Sequence, residues 1–231
     1  MNEDLAVDQL PEEARVYLAP AEYIDSDHPA IRARADEIMR THATPAARAR
    51  AAYMAAREIR YGYVDHADME VYRASSVLAA GYGYCVGKAA VFAALCRACG
   101  IPARVAFADV TNHLSTERLA SGMGTNVFAW HGFTEIMLGG KWLKASPTFN
   151  ASLCARYGVA PLEFDGASDA LLQAFDAEGR TFMRYERMRE SFHDVPAKFL
   201  HLEMERLYPE LVRSPDLKGR AMEEDLATAS A

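Results

Sequence analysis

Two side chains of this 231-residue chain stand where covalent chemistry could be done. Cys85 lies between a glycine-rich turn, Gly81-Tyr82-Gly83-Tyr84, and an apolar run from Cys85 to Cys99 that reads as a buried helix. A helix N-terminus carries partial positive charge, which favours thiolate over thiol. The glycines let backbone N–H groups come close to a substrate carbonyl. A nucleophile with an oxyanion site beside it needs both features; the plainer reading is a small core residue at a helix start. His131 falls in a run of β-branched and aromatic residues, Asn126 to Leu138, that reads as a strand. Alternation puts Val127, Ala129, His131, Phe133 and Glu135 on one face and Phe128, Trp130, Gly132 and Thr134 on the other. A lone strand histidine is commonly structural, but a thiol nucleophile needs a base, and His131 follows Cys85 by 131 − 85 = 46 residues. A third group should accept from the second imidazole nitrogen. Gly139-Gly140 is a hairpin signal that returns Trp142 through Asn150 alongside His131.

The other chemistry-bearing residues have duller readings. Cys96 and Cys99 form a C-x-x-C at the wrong end of their helix for redox work, where the negative dipole end raises a thiol pKa. A zinc site would need two further ligands, and no second C-x-x-C or H-x₃-H exists, so a metal or redox protein using Cys96, Cys99 and His113 is the weakest hypothesis. Cys154 reads as a loop or helix-start residue. His28, His42 and His66 read as solvated, and His113 as a loop histidine at the surface. Tyr61, Tyr63, Tyr72, Tyr82 and Tyr84 crowd around the glycine turn as pocket walls or core.

The elements that must position these groups follow from punctuation and periodicity. Ser26-Asp27-His28-Pro29 opens a first helix and Thr44-Pro45 a second, which Gly62 should end. Asp65 to Val71 is a loop. Gly100 and Pro102 stop the cysteine helix. Ala103 to Thr111, Asn126 to Leu138 and Lys141 to Ala145 are strands. Beyond them, Ser168 caps a helix from Ala170 to Phe175, Phe182 to Phe192 is expected to be a charged amphipathic helix, and Ala197 to Arg213 is a helix that Pro209 breaks near its end. A helix followed by an antiparallel meander is α+β, not a doubly wound parallel sheet.

Composition narrows the function classes. Lys and Arg number 25 against 32 Asp and Glu, a net charge of −7, so no basic surplus exists for a nucleic-acid partner. With 51% hydrophobic and 25% charged residues the chain suits a globular protein. No stretch approaches the roughly 18 apolar residues of a membrane span, and the N-terminus reads as neither signal nor anchor. A cytoplasmic setting with four reduced cysteines is expected.

Several phrases together resemble the transglutaminase-like core, the papain-related superfamily of Cys-His-Asp thiol enzymes. They are Gly-Tyr-Cys at 83–85, Leu-Cys-Arg-Ala-Cys-Gly-Ile-Pro-Ala-Arg at 95–104, His131-Gly-Phe-Thr-Glu135, and Lys141-Trp142 through Pro147-Thr148. Arg57-Glu58-Ile59-Arg60-Tyr61 and Ala74-Ser75-Ser76-Val77-Leu78 also resemble the region that this family places before its cysteine. The likeness covers about 46–150. It implies an α+β fold with a buried cysteine helix on an antiparallel sheet, a bacterial thiol enzyme of the protease or amidase kind, and no cofactor. One domain is expected, with an N-terminal helical part (1–45), the core (46–150), C-terminal helices (151–213) packed on that core, and a tail (214–231). The family has aspartate before Pro-Thr, where this chain has Ser146. The third member is thus Ser146 by alignment and Asn150 by chemistry, as asparagine serves in papain-like enzymes. Tyr72, Tyr82, Tyr84 and Glu135 are the candidate substrate-binding residues. The backbone N–H of Cys85 is the default oxyanion donor, with Tyr72, Tyr82 or Tyr84 as side-chain donors. The expected substrate is a peptide, a protein or a small amide, with hydrolysis favoured over acyl transfer. The alternative is a non-catalytic binding or scaffolding module on the same fold, which the loss of the aspartate keeps open.

Overall fold

The computed structural model describes residues 10–112, 121–171, 183–214, 219 and 221–224. Its order begins with a short helix α1 (Glu12–Arg15), then α2 (Pro29–Thr41), α3 (Pro45–Arg57), β1 (Arg60–Tyr61), α4 (Ala74–Ala80), β2 (Tyr82–Gly83) and α5 (Cys85–Ala98). It continues with β3 (Ala103–Asn112), β4 (Val127–Leu138), β5 (Lys141–Ala145), α6 (Ala151–Tyr157), β6 (Met183–Phe192), α7 (Ala197–Leu207) and α8 (Pro209–Arg213). Two helix starts follow the capping logic directly. His28 accepts from Ala30 N before Pro29, and Thr44 Oγ1 accepts from Ala47 N at 3.2 Å before Pro45.

Helix α5 is the axis of the molecule. Every residue from Cys85 to Arg97 is buried, so the helix has no solvent face and helices and sheet enclose it. The sheet is antiparallel with strand order β5-β4-β3-β6, and α5 packs on its two central strands. One core cluster runs from Tyr23 to Met222 and takes in Leu200 and Met204 of α7. The sheet curls. Tyr185 on the edge strand β6 lies two strands from His131 on β4, yet the ring centroids are 6.2 Å apart; a flat sheet would separate them by about 9.5 Å.

Four sequence expectations need correction. The charged segment ending at Phe192 is strand β6, paired antiparallel with β3 from Asn112↔Met183 to Val105↔Phe192. Its Arg and Glu residues favour a helix locally, but β3 would otherwise expose a row of unpaired N–H and C=O groups, and sheet pairing overrides the propensity. Helix α3 stops at Arg57 rather than Gly62, because Arg60 and Tyr61 leave it to pair in parallel with Tyr82 and Gly83. The presumed loop after Asp65 contains a 3₁₀ turn, Met69–Tyr72, capped by Asp68. Ser168 does not cap a helix at Ala170, which bridges to Ala145 instead; the rest of that expected helix, and His113, lie outside the described residues.

Candidate active site

Cys85 is the first residue of α5 and His131 sits mid-strand in β4. Gly132 brings them together. A Cβ on Gly132 would stand 2.8 Å from Val86 Cα and 3.2 Å from Val86 N, so only glycine lets β4 lie directly on the first turn of α5. Thr134 Oγ1 pins the same contact by donating to Ala89 O at 2.8 Å, one turn further along the helix. Cys85 and His131 then line one cavity of about 80 Å³. Both are nearly buried, 8% and 5% exposed.

A break in β4 aims the histidine. Ala108 pairs with His131 and Val110 with Phe128, so Asp109 alone faces both Ala129 and Trp130. This is a β-bulge, a feature that re-aims side chains next to active sites. It overturns strict alternation, since Phe128 lines the same cavity as His131 although the unbroken period puts them on opposite faces. Trp130 takes up the distortion at φ +60°, a left-handed conformation that costs a bulky residue about 1–3 kcal/mol. Its surroundings hold it there. Trp130 N donates to Asp109 Oδ1 at 3.2 Å and its indole Nε1 to Glu203 Oε2 at 2.9 Å. Arg189 stacks on the ring at 4.0 Å while gripping Asp109 through both carboxylate oxygens at 2.7 and 2.9 Å. Tyr208, between α7 and α8, stitches the preceding residues by accepting from Ala129 N and donating to Val127 O.

The imidazole has neutral company. His131 Nε2 lies 3.2 Å from Ser146 Oγ and 3.5 Å from Thr148 Oγ1, and the two hydroxyls are 2.8 Å apart. Both contacts are made to Nε2. Burial pulls the His131 pKa down to about 4, so the ring is uncharged at neutral pH. Burial also pushes the Cys85 thiol up. Hydrogen bonding from the backbone of Gly132, Val86 and Cys85 and from the Tyr61 side chain acts against that rise. These backbone N–H groups belong to the first turn of α5, which has no intrahelical acceptor for them, and to the strand laid over it. The resting pair is therefore thiol and imidazole, and the thiolate that the helix dipole alone would predict is outweighed by desolvation.

Asn150 is engaged elsewhere. Its Oδ1 accepts from Tyr61 N at 3.0 Å, and its Nδ2 donates to Ser152 Oγ and Glu223 Oε1. Pro147 and the start of α6 turn the chain away, so 146 and 150 do not present to the same ring. Of the expected substrate contacts, Tyr84 lines the cavity and Tyr72 backs it, ring edge to ring face at 5.9 Å. Tyr82 lines a different cavity with Asp65, Asp68 and Glu70. Glu135 is a structural acceptor: it pairs with Arg104 Nε at 2.6 Å and accepts from Ser191 Oγ at 2.8 Å. Cys96 and Cys99 are buried, and burial first of all raises both thiols, Cys99 to about 11. Cys154 is buried in α6.

The sequence reading took Tyr61 only as pocket wall or core, placed His66 in solvent and passed over Lys88. Tyr61 reaches Cys85 because β1 pairs with the turn before α5. His66, expected in solvent, is 8% exposed and lines the cavity with its ring 5.0 Å from Tyr84. Lys88 is fully buried, and its ammonium donates to Arg57 O, Ile59 O and Thr148 O at 2.9, 2.5 and 2.6 Å. Burial draws its pKa down to about 7. Three acceptors use all three protons of the charged form, and a neutral amine would strand one carbonyl. Lys88 thus ties the cysteine helix to the segment carrying Ser146 and Thr148. A signal for it existed: a lone cation one turn beyond Cys85, in a run apolar on every side, must be buried and must find acceptors.

A crystal structure from Cytophaga hutchinsonii, described as "a Putative Cysteine Protease", matches with a TM-score of 0.46 and 18% sequence identity over 82% of this chain. The chain spans 59% of that protein's length. No curated protein matches the chain. The sequence model of the transglutaminase-like superfamily matches residues 32–147, half of the chain, a span holding both Cys85 and His131. By that match and by the cysteine helix laid on an antiparallel sheet, the chain belongs to the transglutaminase-like superfamily.

Proposed function

We propose that this protein is a thiol-dependent hydrolase or acyltransferase acting on an amide or peptide carbonyl, with hydrolysis the favoured outcome. The observation that carries the reading is the shared cavity of Cys85 and His131, with the far imidazole nitrogen held by Ser146. Cys85 Sγ attacks the carbonyl carbon while His131 Nδ1 takes the thiol proton. The carbonyl oxygen becomes an oxyanion facing N–H groups of the first α5 turn. His131 returns the proton to the departing amine nitrogen, the C–N bond breaks, and a thioester remains on Cys85. Water, deprotonated by the same imidazole, attacks the thioester and releases the acid; an amine in its place gives transfer.

Ser146 gives this mechanism a particular character. Its Oγ, 3.2 Å from Nε2, can accept from Nε2–H and so favour the tautomer with a lone pair on Nδ1, but a hydroxyl can also donate and does not dictate that tautomer as an aspartate would. It supplies no negative charge to stabilise an imidazolium. Proton transfer therefore accompanies attack instead of preceding it. Iodoacetamide alkylation at pH 7, located by mass spectrometry, tests the reading. Cys85 should react faster than glutathione, and the advantage should vanish in His131→Ala.

A second reading, a non-catalytic module on the same fold, is favoured by the uncharged Ser146 and by the near burial of both groups. A Cys85 rate no faster than glutathione and indifferent to His131→Ala would select it.

A further inference from the structure

The cavity beside Cys85 has a composition that restricts what an acyl group there can be. Among the described residues that line it there is no lysine, arginine, aspartate or glutamate. Its floor is stiff: Tyr84, Val86 and Trp130 belong to the core and are fixed by their neighbours. Its roof comes from the C-terminal part of the chain, with Leu200 and Met204 from α7 and Met222 beyond α8. The polar tips nearby are largely committed elsewhere. Tyr208 OH is spent on the β4 backbone, and the Tyr84 hydroxyl interacts with Tyr72. A charged group entering this space would lose its hydration and meet no counter-charge. An apolar group would gain from every Å² it hides.

We propose that this cavity is the acyl-side subsite, and that it takes a short, uncharged aliphatic acyl group such as a branched four- or five-carbon chain. The inference rests on the thiol-enzyme reading and adds the substrate class to it. Its size argues for a short chain: a cavity of about 80 Å³ has room for only a few water-sized groups. The two roof methionines give it limited tolerance, because an unbranched thioether side chain repacks around guests of slightly different shape. The roof also assigns the C-terminal helices a task, since α7 bounds the site and does more than cover the core.

Two chloromethyl ketones of similar size test this on the wild-type chain. Isovaleryl chloromethyl ketone carries the aliphatic group, and 5-chlorolevulinate carries a carboxylate in its place. In each case a bond forms between Cys85 Sγ and the methylene carbon, the carbon–chlorine bond breaks, chloride leaves with the electron pair, and the thiol proton passes to His131. Rates at Cys85 are divided by those of 2-mercaptoethanol with the same reagent. The aliphatic probe should be favoured by at least about tenfold, the smallest discrimination expected for burying an unpaired carboxylate. Equal ratios, or a preference for the carboxylate, overturn the subsite assignment. A Cys85 inert to both probes and to iodoacetamide overturns the enzyme reading itself. In Leu200→Ala, phenylacetyl chloromethyl ketone should gain on the isovaleryl reagent; an unchanged ratio in the folded variant shows that α7 does not bound the subsite and defeats the proposal.

Discussion

Helix α5 carries cysteines at both ends, and the two ends are a controlled comparison. Cys85, Cys96 and Cys99 are all buried, and burial raises all three thiols. What differs is the set of groups that oppose burial. At the N-terminal end the unpaired amides of the first turn, Gly132 from β4 and Tyr61 from β1 all converge on the sulfur. At the C-terminal end each cysteine's strongest effect after burial is the neighbouring Cys99 for one and Arg48 for the other, and neither lines the cavity that holds Cys85 and His131. A helix position alone does not set a thiol's surroundings; groups delivered from other elements do.

The most forceful way to break this contrast is mutational. Cys85→Ala should abolish amide turnover, a loss of about 10⁴-fold or more, while Cys96→Ala and Cys99→Ala keep most of it. Comparable losses at both ends would erase the distinction. Next comes the anchor at the active end. Lys88→Met leaves three buried carbonyls without donors and should lower unfolding stability by about 3–5 kcal/mol in urea titration. A near-neutral result would mean that the helix start is held by packing alone.

Charge at the third position sharpens the comparison further. Ser146→Asp puts a carboxylate against Nε2, which should raise the His131 pKa by at least about one unit and move the alkylation profile of Cys85 to lower pH. An unmoved profile would show that Ser146 does not govern the base. The wild-type histidine also has a stability signature. Its folded pKa, about 4, lies below the unfolded value of about 6.5. The unfolded chain therefore binds the proton first as pH falls. The stability contribution of the neutral ring is complete above pH 6.5 and is lost toward pH 4, up to about 3 kcal/mol. His131→Gln should flatten the drop in urea midpoint between pH 7 and pH 5. The smallest effect is expected at the bulge. Asp109→Asn weakens the grip of Arg189 and the hold on Trp130, and should cut kcat by about three- to tenfold with little change in KM, a misaimed base affecting chemistry more than binding.

Much of this molecule is legible in one dimension. The capped starts of α2 and α3, the stop at Gly100, and the Gly139-Gly140 hairpin depend on side chains acting within a few residues, and they occur where the residues call for them. The pairing of a cysteine helix with a histidine strand was readable because both belong to recognisable phrases. Strand β6 was not readable, because its arginines and glutamates satisfy a helix as well as a strand until β3 presents an edge. Asn150 looked suitable by chemistry, but the turn after Pro147 and the pull of Tyr61 N sent its side chain elsewhere.

The amino-acid sequence by itself determined the elements that carry Cys85 and His131, because helix starts, strand runs and glycine turns are local events. Tertiary structure alone decided which hydroxyl meets the imidazole, that Tyr61 reaches Cys85 and His66 joins the cavity, that a strained Trp130 stands next to His131, and that burial disfavours charge on thiol and imidazole. Those outcomes depend on desolvation and on contacts between residues far apart in the chain, and neither exists until the chain has folded around α5.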